Sequence, residues 1–171
     1  MLASLDNMQQ FEPDASNARN LRDAFGRFAT GVTVVTVGSN EGPVAITANS
    51  FSSVSIDPPL VLWSPQKASR RFPYFVEAEY FAVHVLSTEQ SDLCWDVAKD
   101  MSALSKLDVA QNAEGVPVLE GCLARFECSR HAIYDGGDHE IVVGRVLRVT
   151  MRDTGDALGF FKGKMSTFQA Q

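Results

Sequence analysis

Six consecutive β-branched residues, Val32 to Val37, constrain this chain more than any other stretch. Branching at Cβ stiffens χ1 and favours the pleated strand, so the run reads as a buried strand. Gly38-Ser39-Asn40-Glu41-Gly42 follows as a turn, which makes the next strand an antiparallel hairpin partner running from Pro43. That partner leads into Thr47-Ala48-Asn49-Ser50-Phe51-Ser52-Ser53-Val54-Ser55, where six of nine side chains are hydroxyls or amides. A strand surface that polar is either wet or bonded to something with many polar atoms. Hydroxyls and amides offer donors and acceptors together, which suits a ligand rich in heteroatoms and short of positive charge. A Ser/Thr-rich surface loop is the other reading of the stretch alone.

With 171 residues the chain is long enough for one domain with a sizeable core. A net charge of −6 gives no general attraction for a phosphate backbone, which argues against nucleic acid as a partner. Cys94, Cys122 and Cys128 are odd in number and lack CxxC spacing, as expected of reduced thiols in a cytoplasmic protein. No apolar run approaches transmembrane length, so no membrane partner is expected. The acidic, Gln-rich start lacks the pattern of a signal peptide, and residues 1–17 read as an arm, flexible or lying on a partner. Residues 18–171 read as a single domain.

Along the chain, Leu21, Phe25 and Phe28 recur at helical spacing over Ala18 to Ala29, with Gly31 at the expected C-terminus. Asp57-Pro58-Pro59 stops the polar stretch, and Leu60 to Trp63 is a second buried strand. Ser69 is the expected N-cap of a short helix carrying Pro73 in its first turn and Phe72, Phe75 and Val76. Tyr80 to Leu86 is a strand, and Ser87-Thr88-Glu89-Gln90 has the form of a capping box before a helix with Leu93 and Val97 inward. From Cys122 to Tyr134 residues alternate, with Cys122, Ala124, Phe126, Cys128 and Ala132 facing one way and Arg125, Glu127, Ser129 and His131 the other. Asp135-Gly136-Gly137 turns the chain into a long return strand from Glu140 to Met151, and Leu158 to Met165 reads as a compact apolar turn. Six or seven strands with hairpin turns and few helices predict a mainly β fold, a closed antiparallel barrel with helices packed at its ends.

No G-x-G-x-x-G follows a strand, and no P-loop, H-E-x-x-H or G-x-S-x-G motif occurs. No paired His/Cys cluster supports a metal. The chemistry is thereby narrowed to what a bound organic cofactor carries. Two further features join the polar strand. Lys67-Ala68-Ser69-Arg70-Arg71 stands at a helix start, where backbone N–H groups and two guanidiniums favour a phosphate. Gly137-Asp138-His139 sits at a hairpin tip, where His139 can project over a barrel mouth. His84, inside a strand, reads as a packed histidine, and His131 as an exterior one.

In order and spacing these stretches resemble the short flavin reductases that supply reduced flavin to two-component monooxygenases. The matching residues are Phe28 to Thr36, Thr47 to Phe51, Ser53-Val54-Ser55, Asp57 to Val61, Phe81-Ala82-Val83, Gly115-Val116-Pro117, Glu127-Cys128 and Gly137-Asp138-His139. The resemblance implies a split β-barrel homodimer with FMN or FAD in a groove near the dimer interface, reduced by NADH or NADPH. It also implies a flavin-dependent monooxygenase as receiving partner. Carried over by position, Thr47, Ala48, Asn49 and Ser50 meet the isoalloxazine and ribityl chain, and Ser53 and Ser55 continue that wall. Ser64, Ser69 and Arg70 meet the phosphate end, Lys106 is a further candidate, and Asp138 and His139 meet the nicotinamide nucleotide. Four positions depart from the family's habit: Ala45 for Gly, Arg71 for a small hydroxyl residue, His84 for Asn and Met165 for an aromatic. A flavin- or pyridoxal-phosphate-dependent oxidase on a similar barrel, and a non-catalytic flavin-binding module, are the alternatives.

Overall fold

The β-branched run forms β2 (Thr33–Ser39), which turns through Asn40-Glu41 into β3 (Gly42–Ala48). Gly42 closes that two-residue hairpin at φ +109°, a conformation open to glycine and closed to most side chains. The computed structural model describes residues 8–169. Of the expected arm, residues 1–7 lie outside that range, and Ala15–Asn17 is a 3-10 turn capped by the Asp14 carboxylate.

The remaining strands are β1 (Thr30–Gly31), β4 (Ser52–Ser55), β5 (Leu60–Trp63), β6 (Tyr80–Val85), β7 (Ala110–Gln111), β8 (Pro117–Val118), β9 (Ala124–Gly136), β10 (His139–Met151), β11 (Ala157–Phe161) and β12 (Lys164–Phe168). The helices are α1 (Ala18–Phe25), α2 (Phe72–Glu77) and α3 (Ser91–Lys99), so the fold is mainly β. Seven strands pair antiparallel in the order β3-β2-β6-β9-β10-β5-β4. A second sheet, β1-β11-β12, includes the C-terminal segment, which is a hairpin turning at Lys162 and Gly163 rather than an isolated turn.

The expected closed barrel is not formed, because β3 and β4, at the two ends of the large sheet, do not pair. Only Asn49-Ser50-Phe51 separates them, and that link reaches at most about 14 Å between flanking Cα atoms. The sheet therefore curls until its edges are neighbours and stops short of a continuous ladder. The polar stretch is divided accordingly, with Thr47 and Ala48 on one edge strand and Ser52–Ser55 on the other. One face of β2 and β3 packs against α3 and the 3-10 turn Ala103–Lys106, through Val34 and Ala45 on Cys94, Val97 and Leu104.

Inside the curl, Val35, Val37, Val44, Val61, Trp63, Phe75, Phe81, Cys128 and Val142 form one buried cluster. The other side of β2 buries Val32 and Val34 against Leu86, Cys94, Val97, Leu104 and Leu158. Thus β2 is buried on both faces, which is why its sequence is β-branched throughout. Each fully enclosed Val, Leu or Phe here contributes about 1.5–3 kcal/mol.

Three local expectations are corrected. The first helix ends at Gly26, whose N–H donates to the Arg22 carbonyl at 2.9 Å, because Gly31 is needed in β1 opposite Gly159. Phe25 at its end and Phe28 in the turn beyond are 69% and 78% exposed. In β9 a bulge at His131 separates the Ala132–Val143 and Arg130–Gly144 pairs, so the alternation slips and Ile133 packs on the core. Glu127, on the face expected to be exterior, is buried because Asn112 covers it and Arg125 and Arg148 pair with it.

Candidate functional site

Around the end of β3, three cavities adjoin one another through shared residues. The first, about 300 Å³, lies between Thr47 on β3, Ser69-Arg70-Arg71 and the last turn of α3 at Ala98 and Lys99. The second, about 340 Å³, shares Thr47 and Ala98 and adds Ala48, Asn49, Trp95, Phe160 and Met165. The third, about 550 Å³, shares Asn49, Phe160 and Gly163 and is bounded by Arg22, Arg27, Thr30 and Lys162. Shared residues make them one cleft, cationic at both ends and neutral in the middle.

Local structure sets each group in place. Ser69 is not the N-cap of α2. Arg71 occupies that position without a capping side chain, while the Ser69 hydroxyl accepts the Arg71 N–H at 3.2 Å. With only six residues in α2, the anionic preference of this corner comes from side-chain charge rather than a helix dipole. The Arg71 guanidinium donates to the carbonyls of Ala45 at 3.1 Å and Ala98 at 3.4 Å, so it ties β3 to α3. Burial pulls its pKa down, and Asp100 partly restores it. Arg70 forms no ion pair among the described residues and keeps its charge for a ligand.

Beyond Asn49, the Ser50 hydroxyl accepts the Ser64 N–H at 3.0 Å, which pins the crossover to the end of β5. Ser64 leads directly to Pro65, whose carbonyl accepts the Glu140 N–H at 3.1 Å. The β9–β10 hairpin tip is fastened there too. The Lys67 N–H donates to the Asp138 carbonyl at 2.9 Å, and the Lys67 ammonium pairs with Asp135. His139 Nδ1 lies 2.8 Å from Asp138 Oδ1, and Gly137 supplies the φ +80° that the turn needs. That His139 contact, with a smaller contribution from Arg22, holds the Asp138 carboxyl below its ordinary pKa. The hairpin tip is thus fixed against the segment that leads to Ser69 and Arg70.

Of the residues singled out from sequence, Thr47, Ala48, Asn49, Ser69 and Arg70 line the cleft. Ser50 and Ser64 fix the crossover that carries Asn49, and Asp138 and His139 line none of the three cavities. Ser53 and Ser55 lie on β4, paired with Val61 and Leu60, and line none of the three cavities. Lys106 pairs with Asp100 at 2.8 Å and borders a separate cavity of about 240 Å³. Sequence reasoning missed Thr30, Trp95, Lys99, Phe160 and Lys162. The i, i+3, i+4 spacing of Trp95, Ala98 and Lys99 was a readable signal for one face of α3. For Phe160 there was none, since it reaches the cleft only by β11 pairing with β1.

The donor set suits a flat heteroaromatic nucleotide. Thr47 and Asn49 offer neutral donors and acceptors, Thr30 Oγ1 is buried without a partner at the cleft wall, and Arg70 offers charge at one end. An opened, curled antiparallel sheet with such a cleft has the lining to hold a planar, phosphorylated organic cofactor.

Comparison with known proteins narrows the class. Residues 25–169 match the family described as flavin reductase like domain. The FMN reductase (NADH) SmoA of Agrobacterium fabrum is 52% identical over 167 residues, covering 98% of this chain and 95% of SmoA. The reductase component of the flavin-dependent trigonelline monooxygenase of Acinetobacter baylyi is 40% identical over 91% of this chain, which spans 51% of that longer protein. The crystal structure of the Streptomyces globisporus C-1027 NADH:FAD oxidoreductase SgcE6, with NAD and FAD fragments, superimposes with a TM-score of 0.85 at 36% identity, covering 94% of this chain and 98% of that one. The chain belongs to the flavin reductase-like family.

Proposed function

We propose that this chain is an NADH-dependent flavin reductase that supplies reduced FMN or FAD to a partner monooxygenase. The observation that carries the reading is the continuous cleft from Arg70 past Thr47 and Asn49 to Thr30. The relatives named FMN reductase (NADH) and reductase component of a monooxygenase support the reductant and the partner. When bound, the flavin supplies the hydride-accepting ring.

The residues do the placing. Thr47 and Asn49 bond the polar edge of the ring and the ribityl chain, and Ala48 leaves room for the ring against β3. Ser69 and Arg70 take the phosphate, with Arg71 holding that corner open. His139, oriented by Asp138 through Nδ1, presents Nε2 to the nicotinamide nucleotide and positions it without donating a proton. Ser50 and Ser64 act at one remove, by fixing the crossover that carries Asn49. Alignment of the two rings contributes much of the rate.

The active unit is a homodimer. Leu147, Val149 and Met151, at alternate positions past the end of the β5 pairing, stay 43%, 52% and 73% exposed, and Ile56 nearby in sequence to β4 is 92% exposed. Apolar side chains repeated along one strand suit burial against a second copy.

The decisive experiment is NADH oxidation with added FMN, then FAD, with NADPH as the comparison donor. Turnover well above background is expected with NADH. Arg70→Ala is expected to raise the KM for FMN about tenfold or more, the worth of one charge-assisted bond. No oxidation of NADH with either flavin overturns the reading.

A further inference from the structure

The sequence motifs account for one wall of the cleft, on β3. The facing wall is α3, and nothing in those motifs involves it. Cys94 and Val97 turn into the core, at 1% and 0% exposure, and fix the rotation of the helix. Trp95, Ala98 and Lys99 then share a neighbouring face that borders the cleft, Trp95 in the 340 Å³ cavity and Lys99 in the 300 Å³ cavity. The spacing between the walls is set by Arg71, which bonds the Ala45 carbonyl of β3 and the Ala98 carbonyl of α3.

Trp95 is placed unlike the chain's second tryptophan. Trp63 is 1% exposed and sits edge-on to Phe75 at 5.1 Å, as a core residue does. Trp95 leaves 46% of its surface in water beside an apolar slot that also contains Phe160 and Met165. An indole there gains little from the core and has a flat apolar face to offer a planar ring. At the other end, Arg71 is committed to backbone carbonyls, so Arg70 and Lys99 are the cations left to face an anion in that cavity.

We propose that α3 is the second wall of the flavin site, with Trp95 packing its indole against the isoalloxazine and Lys99 binding the phosphate beside Arg70. This rests on the flavin-reductase reading, and one titration separates the two. FMN and riboflavin, which lacks the phosphate, are titrated into the unsubstituted chain and into Trp95→Leu, Trp95→Phe and Lys99→Gln, following flavin and tryptophan fluorescence. Thermal unfolding of each variant confirms that it is folded. Binding to the unsubstituted chain is expected to quench both emissions. Trp95→Leu is expected to raise Kd for FMN and riboflavin alike, by roughly tenfold, and to remove the Trp95 share of the tryptophan quenching, leaving that of Trp63; Trp95→Phe recovers part of the affinity. Lys99→Gln is expected to raise Kd for FMN about fivefold and leave riboflavin unchanged. Unaltered affinities in Trp95→Leu, or equal losses for both ligands in Lys99→Gln, overturn the respective half of the proposal. Failure of the unsubstituted chain to bind either ligand overturns the flavin reading itself.

Discussion

His84 shows how one side chain can carry a pH dependence for the fold. It is fully buried, its Nδ1 lies 3.0 Å from the Val34 carbonyl, and the Leu119 N–H donates to Nε2 at 3.1 Å. A carbonyl needs a donor and an N–H needs an acceptor, so the ring is the neutral Nδ1–H tautomer. Burial drops its pKa from 6.5 to about 4, against a smaller upward pull from the Val34 bond. Between those values the unfolded chain takes up a proton that the folded chain refuses. His84 therefore contributes stability fully above pH 6.5, and that contribution is lost as pH falls towards 4, amounting to roughly 3 kcal/mol. Urea unfolding at pH 7.5, 6 and 5 is expected to show the decline, and His84→Asn is expected to flatten it. Gly144 makes a second case, since a Cβ there would lie 2.4 Å from Phe81 Cζ. Gly144→Ala should cost about 1–3 kcal/mol, measurable as a lower Tm. At the hairpin tip, His139→Ala is expected to raise the KM for NADH more than the Kd for FMN; an unchanged nicotinamide KM would remove His139 from its positioning role.

At the scale of elements, the long β9–β10 hairpin is held by charge as well as by its ladder. Glu127 is 5% exposed and accepts bonds from Asn112 at 2.9 Å, Arg125 at 3.1 Å and Arg148 at 2.9 Å. Burial raises its pKa, and these partners more than reverse that, leaving it lowered. Glu127→Ala would leave Asn112 without its acceptor while Arg125 and Arg148 keep Glu120 and Glu114, and is expected to destabilise the fold by about 1–3 kcal/mol in denaturant titration. The alternation of the sequence placed Glu127 on the outer face correctly but could not tell that Asn112 covers that face. Element boundaries set by local chemistry were legible: the capping box of Ser87 and Gln90 is present, and Pro73 lies in the first turn of α2. The end of α1 was not legible, because the use of Gly31 in β1 depends on Gly159, far along the chain.

For the molecule as a whole, the exposed Leu147, Val149 and Met151 predict assembly. Val149→Lys together with Met151→Lys is expected to convert a dimer to a monomer in light scattering without lowering the Tm of the protomer core. Among the described residues, no helix is long and apolar enough to cross a membrane. By itself the sequence determined most strands of the large sheet, their hairpin turns and the residue types of the β3 wall, because strand propensity, turn chemistry and hydrogen-bonding capacity are properties of short stretches. Only the tertiary structure decided that β3 and β4 stop short of pairing, that α3 and the end of β3 border one cleft, and that Phe160 and Thr30 meet there. Those outcomes depend on how far a seven-stranded sheet curls around its core, and on contacts between residues distant in the chain, which no local pattern encodes.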